Sequence, residues 1–234
     1  MNRILTIGLM ALLLNSCAQK PSETPRTAEP PPEFPSSLYE DAAAEEVYAV
    51  NVRNSRAEII VRREGSLARL GHDHVITAND ISGLVQFAKK DVSVSRADLS
   101  LNLNSLIVDQ PESRRAFELD TQPSAADIRK TRSNMREKTL NTDQWPEMHL
   151  LVDVTATSVD TIQAELTIWL HGQSHTMPLS FQLKVKPDGT LVASGVFSLL
   201  QSDFGIQPFS ILSGALRVAD EVTIHFHIEA QART

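Results

Sequence analysis

The stretch Ile162-Gln163-Ala164-Glu165-Leu166-Thr167-Ile168-Trp169-Leu170 carries an aliphatic residue at every second position. Side chains of a β-strand point alternately to its two faces, so this order gives a strand with one apolar face. The same period recurs outward in both directions. Leu150, Val152, Val154 and Ala156 precede it, and Ala97, Leu99, Leu101 and Leu103 come earlier still. Leu179, Phe181, Leu183 and Val185 follow, then Val222, Ile224, Phe226 and Ile228. Further strands are expected over 47–52, 57–63, 75–88 and 190–199. Pro187-Asp188-Gly189 supplies a tight turn, because Gly accepts a positive φ without steric cost. One helix is expected over 124–138, capped by Ser124 with Asp127 three residues on. Ile128, Met135 and the aliphatic part of Arg132 would face the sheet.

About eight antiparallel strands with one apolar face each have two packing solutions, a sandwich or a barrel. An eight-stranded barrel can hold a small ligand along its axis. Alternation alone does not separate the two. Leu101, Leu103, Leu166, Ile168, Phe181, Leu183, Ile224 and Phe226 are the residues expected to point inward.

The chain has 234 residues, 41% of them hydrophobic, enough for one sizeable core. Its formal net charge of −7 argues against nucleic acid, whose binding needs a basic face to displace counterions from phosphates. The single cysteine excludes an intrachain disulfide. No G-x-S-x-G elbow, H-E-x-x-H, phosphate loop or C-x-x-C occurs, so no enzyme is expected, although a dispersed Ser–His–Asp triad leaves no local signature.

The first residues read as a targeting segment. Met1-Asn2-Arg3 is followed by the apolar run Ile4 to Leu14, far short of the ~20 residues that span a bilayer. Leu14-Asn15-Ser16-Cys17 then resembles the lipobox of bacterial lipoproteins, which implies acylation at Cys17 and a membrane anchor without a spanning helix. Ala18 after the cysteine implies sorting to the outer membrane, facing the periplasm. Residues 18–44 hold six of the twelve prolines and read as a semi-extended tether ending in a helical turn over 41–46. The expected organisation is a leader over 1–17, a tether over 18–44 and a barrel over 45–234.

Four segments within 70–231 resemble the YceI-like family, lipocalin-like barrels associated with polyisoprenoid binding. They are Arg132 to Glu147, Leu166-Thr167-Ile168-Trp169-Leu170-His171-Gly172, Ser202-Asp203-Phe204-Gly205-Ile206, and Asp220 to Ala230. The resemblance implies an all-β, lipocalin-like barrel of about eight strands with one short helix. It also implies an apolar cavity for an isoprenoid lipid, such as the tail of a quinone, with no covalent cofactor in the domain. Phe204 joins the ligand-binding candidates on this basis. The sequence departs from the family at Gln201, where an Arg is usual, and at Gly71-His72-Asp73-His74, where a single His is usual.

Six of the seven histidines fall in pairs. His225 and His227 share the polar face of a strand and are read as surface residues. His171 and His175 flank a hairpin end. His72 and His74 sit at the mouth of a strand beside Asp73, and three readings stand: a local turn, a contact to a polar ligand head, or a metal site. The last makes His72-Asp73-His74 the core of an alternative function, a metal-binding or protein-interaction module. Arg114-Arg115 reads as a solvated loop, with an anchor for an anionic lipid head as the alternative.

Overall fold

In the computed structural model, residues 28, 30–43, 46–88, 90–158 and 161–233 are described. The leader, Cys17 and residues 18–27 of the tether lie outside these residues. Twelve strands follow in chain order: β1 Val47–Val50, β2 Arg56–Glu64, β3 His74–Ala78, β4 Ile81–Gln86, β5 Arg96–Asn102, β6 Ile107–Val108, β7 Glu147–Ser158, β8 Thr161–Leu170, β9 Gln173–Val185, β10 Leu191–Leu200, β11 Ser210–Ile211 and β12 Leu216–Ala232. Three short helices join them: α1 Ser36–Asp41, α2 Pro111–Ala116 and α3 Ala125–Asn134.

All pairings are antiparallel, and the sheet closes on itself. From β1 the order runs β4, β5, β7, β8, β9, β10 and β12, and β12 pairs back to β1. β2, β3 and β6 extend β1, β4 and β5 past a bend in each, so the barrel has eight staves. The expected strand over 75–88 is thus two strands, β3 and β4, parted at the exposed pair Asn79-Asp80.

The apolar face of each strand points inward as its alternation requires. Leu101, Leu166, Ile168 and Ile224 are buried in one core cluster with Leu103, against which Phe181 and Phe226 pack. At one end of the barrel Tyr48, Phe87, Leu191 and Ala230 form a second cluster, joined by Val85, Val92 and Leu183. This cluster plugs that end.

The β9–β10 pairing stops after Gln182 opposite Ser194, and the two strands then part. The turn Gln201–Phe204 packs against β9 beyond that point. Gly205 ends the turn at φ 67, a conformation that favours glycine. Phe204 is fully buried there, its ring edge-on to His175 at 5.9 Å.

α3 matches the expected helix. Ser124 and Asp127 form a reciprocal capping box, and Ile128 and Met135 pack on the core. A π-helical turn, Met135–Thr139, continues it. Arg132 differs: it is exposed, its guanidinium near the Asn104 carbonyl rather than its stem on the sheet.

Two helices were not expected. α1 lies ahead of the helical turn assigned to 41–46, because Tyr39 docks on the barrel wall. Its hydroxyl donates to Asp98 Oδ2 at 2.6 Å, and Phe34 stacks on its ring. Burial, then the bond to Asp98, push the Tyr39 hydroxyl well above the usual phenol range, so it stays a donor. α2 starts with Pro111 at its first position, where a missing N–H costs nothing. It lies over the outside of β3, with Ser113 Oγ 3.1 Å from Thr77 Oγ1. This arrangement overturns the solvated-loop reading of Arg114, which is 7% exposed.

Glu229 fastens the plugged end. It accepts from Lys186 Nζ at 2.7 Å and from Asn54 Nδ2 at 3.0 Å, joining β12 to the β9–β10 hairpin and to the bend before β2. The bonds from Lys186 and Asn54 hold its carboxyl down at about 2. A carboxylate depressed on folding stabilises fully above its ordinary value and loses that contribution as pH falls through its folded value. We therefore expect Glu229→Gln to cost about 1.5 kcal/mol at neutral pH. The variant should also lose less stability than the parent between pH 4.5 and about 2, as read by urea denaturation across pH.

Candidate functional site

The interior is not solid. A cavity of about 610 Å³ runs along the barrel, within the ~300–1,000 Å³ range of small-molecule sites. Its walls are the inward faces of the strands. Leu101, Leu103, Leu166, Ile168, Phe181, Leu183, Ile224 and Phe226 all border it, as do His72 and His74. Phe204 is the exception among the expected ligand contacts. It belongs to the turn packed against β9 and sits in the core cluster with the wall residues Leu166, Ile168 and Ile206. Phe181 and Phe197 each meet Phe226 edge-on at 6.2 Å, forming an aromatic belt inside the barrel.

The polar part of the lining gathers at one end. The exposed residues of the wall are Leu70, Asp127, Lys130, Ile211 and Arg217. They come from the turn before β3, from α3 and from the segment around β11, and they mark where the cavity meets solvent. Arg63, Thr131, Asn134 and Gln201 line the same region. Gln201, at the family's Arg position, donates to the Ala219 carbonyl at 2.8 Å. At the plugged end the lining includes Arg96, whose guanidinium is committed to Asp98 through two bonds.

His74 is fixed from behind. Asp109, its side chain fully buried, stands 2.6 Å from His74 Nδ1. It also accepts from the Val75 N–H at 3.1 Å and from Arg114 Nη1 at 2.6 Å. Burial pushes the Asp109 carboxyl up, but the bonds from His74, Val75 and Arg114 outweigh it and hold it below the usual range. An ionised Asp109 has no proton to give, so the proton of this bond sits on His74 Nδ1. The same ring lines the cavity. Arg114 in turn donates to the Asp73 and Thr121 carbonyls, tying α2 and the loop after it to the start of β3.

His72 is different. Its Nδ1 is buried without a hydrogen-bond partner, and its ring meets that of His74 at 6.2 Å. An unpaired buried polar atom costs roughly 1–3 kcal/mol. The one comparable atom among the described residues, Arg136 Nε, is not on the cavity wall.

The three residues His72-Asp73-His74 do not converge. The Asp73 carboxylate turns to the Arg63 N–H at 2.9 Å and to Arg62 Nη1 at 2.9 Å. Burial raises the Asp73 carboxyl, but these two arginines outweigh it and hold it below its usual range. Among the described residues, no group of three His, Cys, Asp or Glu side chains is placed to hold a metal ion.

The other histidines make different contacts. His171 and His175 reach the Gln201–Phe204 turn, at the Phe204 carbonyl and Asp203. His225 packs on Phe117, and His227 faces Glu229. Sequence reasoning missed Asp109 and Arg114. Pro111 was the available signal for α2, but nothing in the chain links Asp109 to His74, 35 residues away.

Two solved structures share the fold. BcnA of Burkholderia cenocepacia is 14% identical with a TM-score of 0.59, the match covering 78% of this chain and 99% of that one. A polyisoprenoid binding domain from Saccharophagus degradans, implicated in plant cell wall breakdown, is 14% identical with a TM-score of 0.55, covering 80% and 98%. No curated protein matches in sequence. The model of the YceI-like domain matches residues 48–230, and with the closed barrel and its apolar cavity this makes the chain a member of the YceI-like family.

Proposed function

We propose that this protein binds and carries an amphiphilic lipid with an isoprenoid or similar long apolar tail, such as an isoprenoid quinone. The observation that carries the reading is the division of the cavity: an apolar barrel below, polar side chains gathered at its one open end. A tail gains ~0.8 kcal/mol for each methylene taken out of water, so partial insertion already drives binding. The head stays at the mouth, beside His72 and His74, which line it. The domain from Saccharophagus degradans, described as polyisoprenoid binding, supports the reading through its shared fold. Binding of this kind needs no catalytic group. The reading includes an acyl anchor on Cys17 that holds the protein at the outer membrane, facing the periplasm.

Ile168 is 1% exposed and borders the cavity. Ile168→Asn or Phe181→Asn should reduce uptake of a ubiquinone-type ligand more than it lowers the melting temperature. Large-to-small changes in a filled core would instead cost ~2–5 kcal/mol with no ligand binding to lose. Fluorescence titration beside thermal melts checks this, and a barrel that takes up no apolar probe would overturn the carrier reading.

Replacing both His72 and His74 with Ala should weaken quinone binding by about 10-fold, the effect of ~1.4 kcal/mol of lost hydrogen bonding. Squalene offers no acceptor and should bind as before. Equal loss for both ligands would remove the histidines from head recognition.

After a high-salt wash, Cys17→Ser should shift the protein from the membrane fraction to the soluble fraction and remove the acyl mass from its N-terminal peptide. Persistence of the acyl mass would refute the anchor.

A further inference from the structure

The rim of the cavity has a surface chemistry that ligand binding does not explain. Leu70, Ile211 and Leu212 are 58%, 44% and 61% exposed. They belong to two segments held together at the open end: the Leu67 N–H donates to the Ala215 carbonyl at 2.8 Å, and Gly71 packs against Leu216. Leu212 and Ser213 both have positive φ, 52° and 53°, a conformation side chains rarely adopt. The turn therefore displays Leu212 to solvent at a conformational cost. Surface apolar residues scattered singly need no explanation, but three gathered around a cavity mouth mark an interaction surface.

The adjoining helix supplies charge. From Ile128 to Lys138 the chain carries Arg129, Lys130, Arg132, Arg136 and Lys138 against one acid, Glu137, in a protein whose net charge is −7. Asp127 is the other acid on this helix. Two acids near this end are paired with bases: Asp120 with Arg63 and Glu64 with Arg217. Of these bases Arg129, Lys130 and Arg132 are exposed on α3, and Lys130 lines the mouth with Leu70 and Ile211. Apolar tips flanked by unneutralised Lys and Arg suit the interface of an anionic bilayer, where side chains enter the headgroup region and bases meet lipid phosphates.

We propose that the open end of the barrel docks on an anionic membrane surface, with Leu70, Ile211 and Leu212 entering the headgroup layer. This contact is separate from any acyl anchor. Leu70 and Ile211 border the cavity itself, so a lipid would pass between bilayer and barrel beside them.

The test uses the full chain with Cys17→Ser, which removes acylation and leaves no native thiol. An environment-sensitive nitrobenzoxadiazole label is placed on Leu212→Cys or, as a control, on Val94→Cys, a residue 61% exposed beside the plugged end. Phosphatidylcholine vesicles with phosphatidylglycerol should blue-shift the label at 212 and leave the label at 94 unchanged. The leader is common to both proteins, so binding through it cannot produce this difference. Arg129→Glu with Arg132→Glu should weaken the vesicle interaction by at least about tenfold, with an unchanged thermal melt. A shift at 94 equal to that at 212, no shift at either, or an affinity indifferent to the charge reversal would overturn the proposal. A shift at 212 before any vesicle is added would assign the patch to a second copy of the chain and equally overturn it.

Discussion

Closure of the sheet through β12 is the constraint on which the rest of the molecule depends. This strand runs for 17 residues and pairs along one edge with β10. Its other edge serves two partners: β1 at its end, and β2 farther back across a bulge between Val218 and Val222. A closed sheet has no free edge and cannot collapse onto itself as a sandwich does. Eight staves fix a circumference, and the inward side chains do not fill it. The cavity is thus a consequence of strand number and closure, and its apolar character is a consequence of the alternation along each strand.

The two ends of the barrel are finished by different chemistry. At one end, Tyr48, Phe87 and Leu191 fill the lumen, and Glu229 binds the surrounding loops. At the other, charged groups take the place of apolar filling. Asp109 and Arg114 form a buried pair that holds α2 outside the wall and His74 at the mouth. Removing one partner of such a pair strands a charge away from water, so its members are tied to one another and, through Asp109, to the histidine. The position of His74 is accordingly set by a helix that never touches the cavity.

The strands were legible because a half-buried strand writes its burial directly into a period of two. The stretch from Ile162 to Leu170 could be read residue by residue, and the inward assignment of Leu166 and Ile168 followed. Capping chemistry made α3 legible in the same way, through Ser124 and Asp127. What escaped were features set by contacts distant in sequence. Tyr39 lies 59 residues from Asp98, and without that bond a proline-rich tether gives no reason to dock. Arg114 looked like a surface base because its partner is recognisable only once β3 and α2 are superposed in space. Phe204 became a candidate through the family resemblance, which carries no sign of the parting of β9 and β10 that it packs beside.

The division between plugged and open ends also fixes which way round an amphiphile can sit. Consider a lipid head pushed to the aromatic belt of Phe181, Phe197 and Phe226. A polar group there loses its water and finds no donor or acceptor, at a cost of roughly 2–7 kcal/mol. The tail would then lie among Arg63, Lys130 and Asp127 at the mouth, where methylenes gain less because water still reaches them. In the opposite orientation the tail meets the belt, and the head meets His72 and His74. Both differences favour entry tail first. The same orientation leaves the head beside the exposed leucines and the bases of α3, where a departing lipid would next find either water or a membrane.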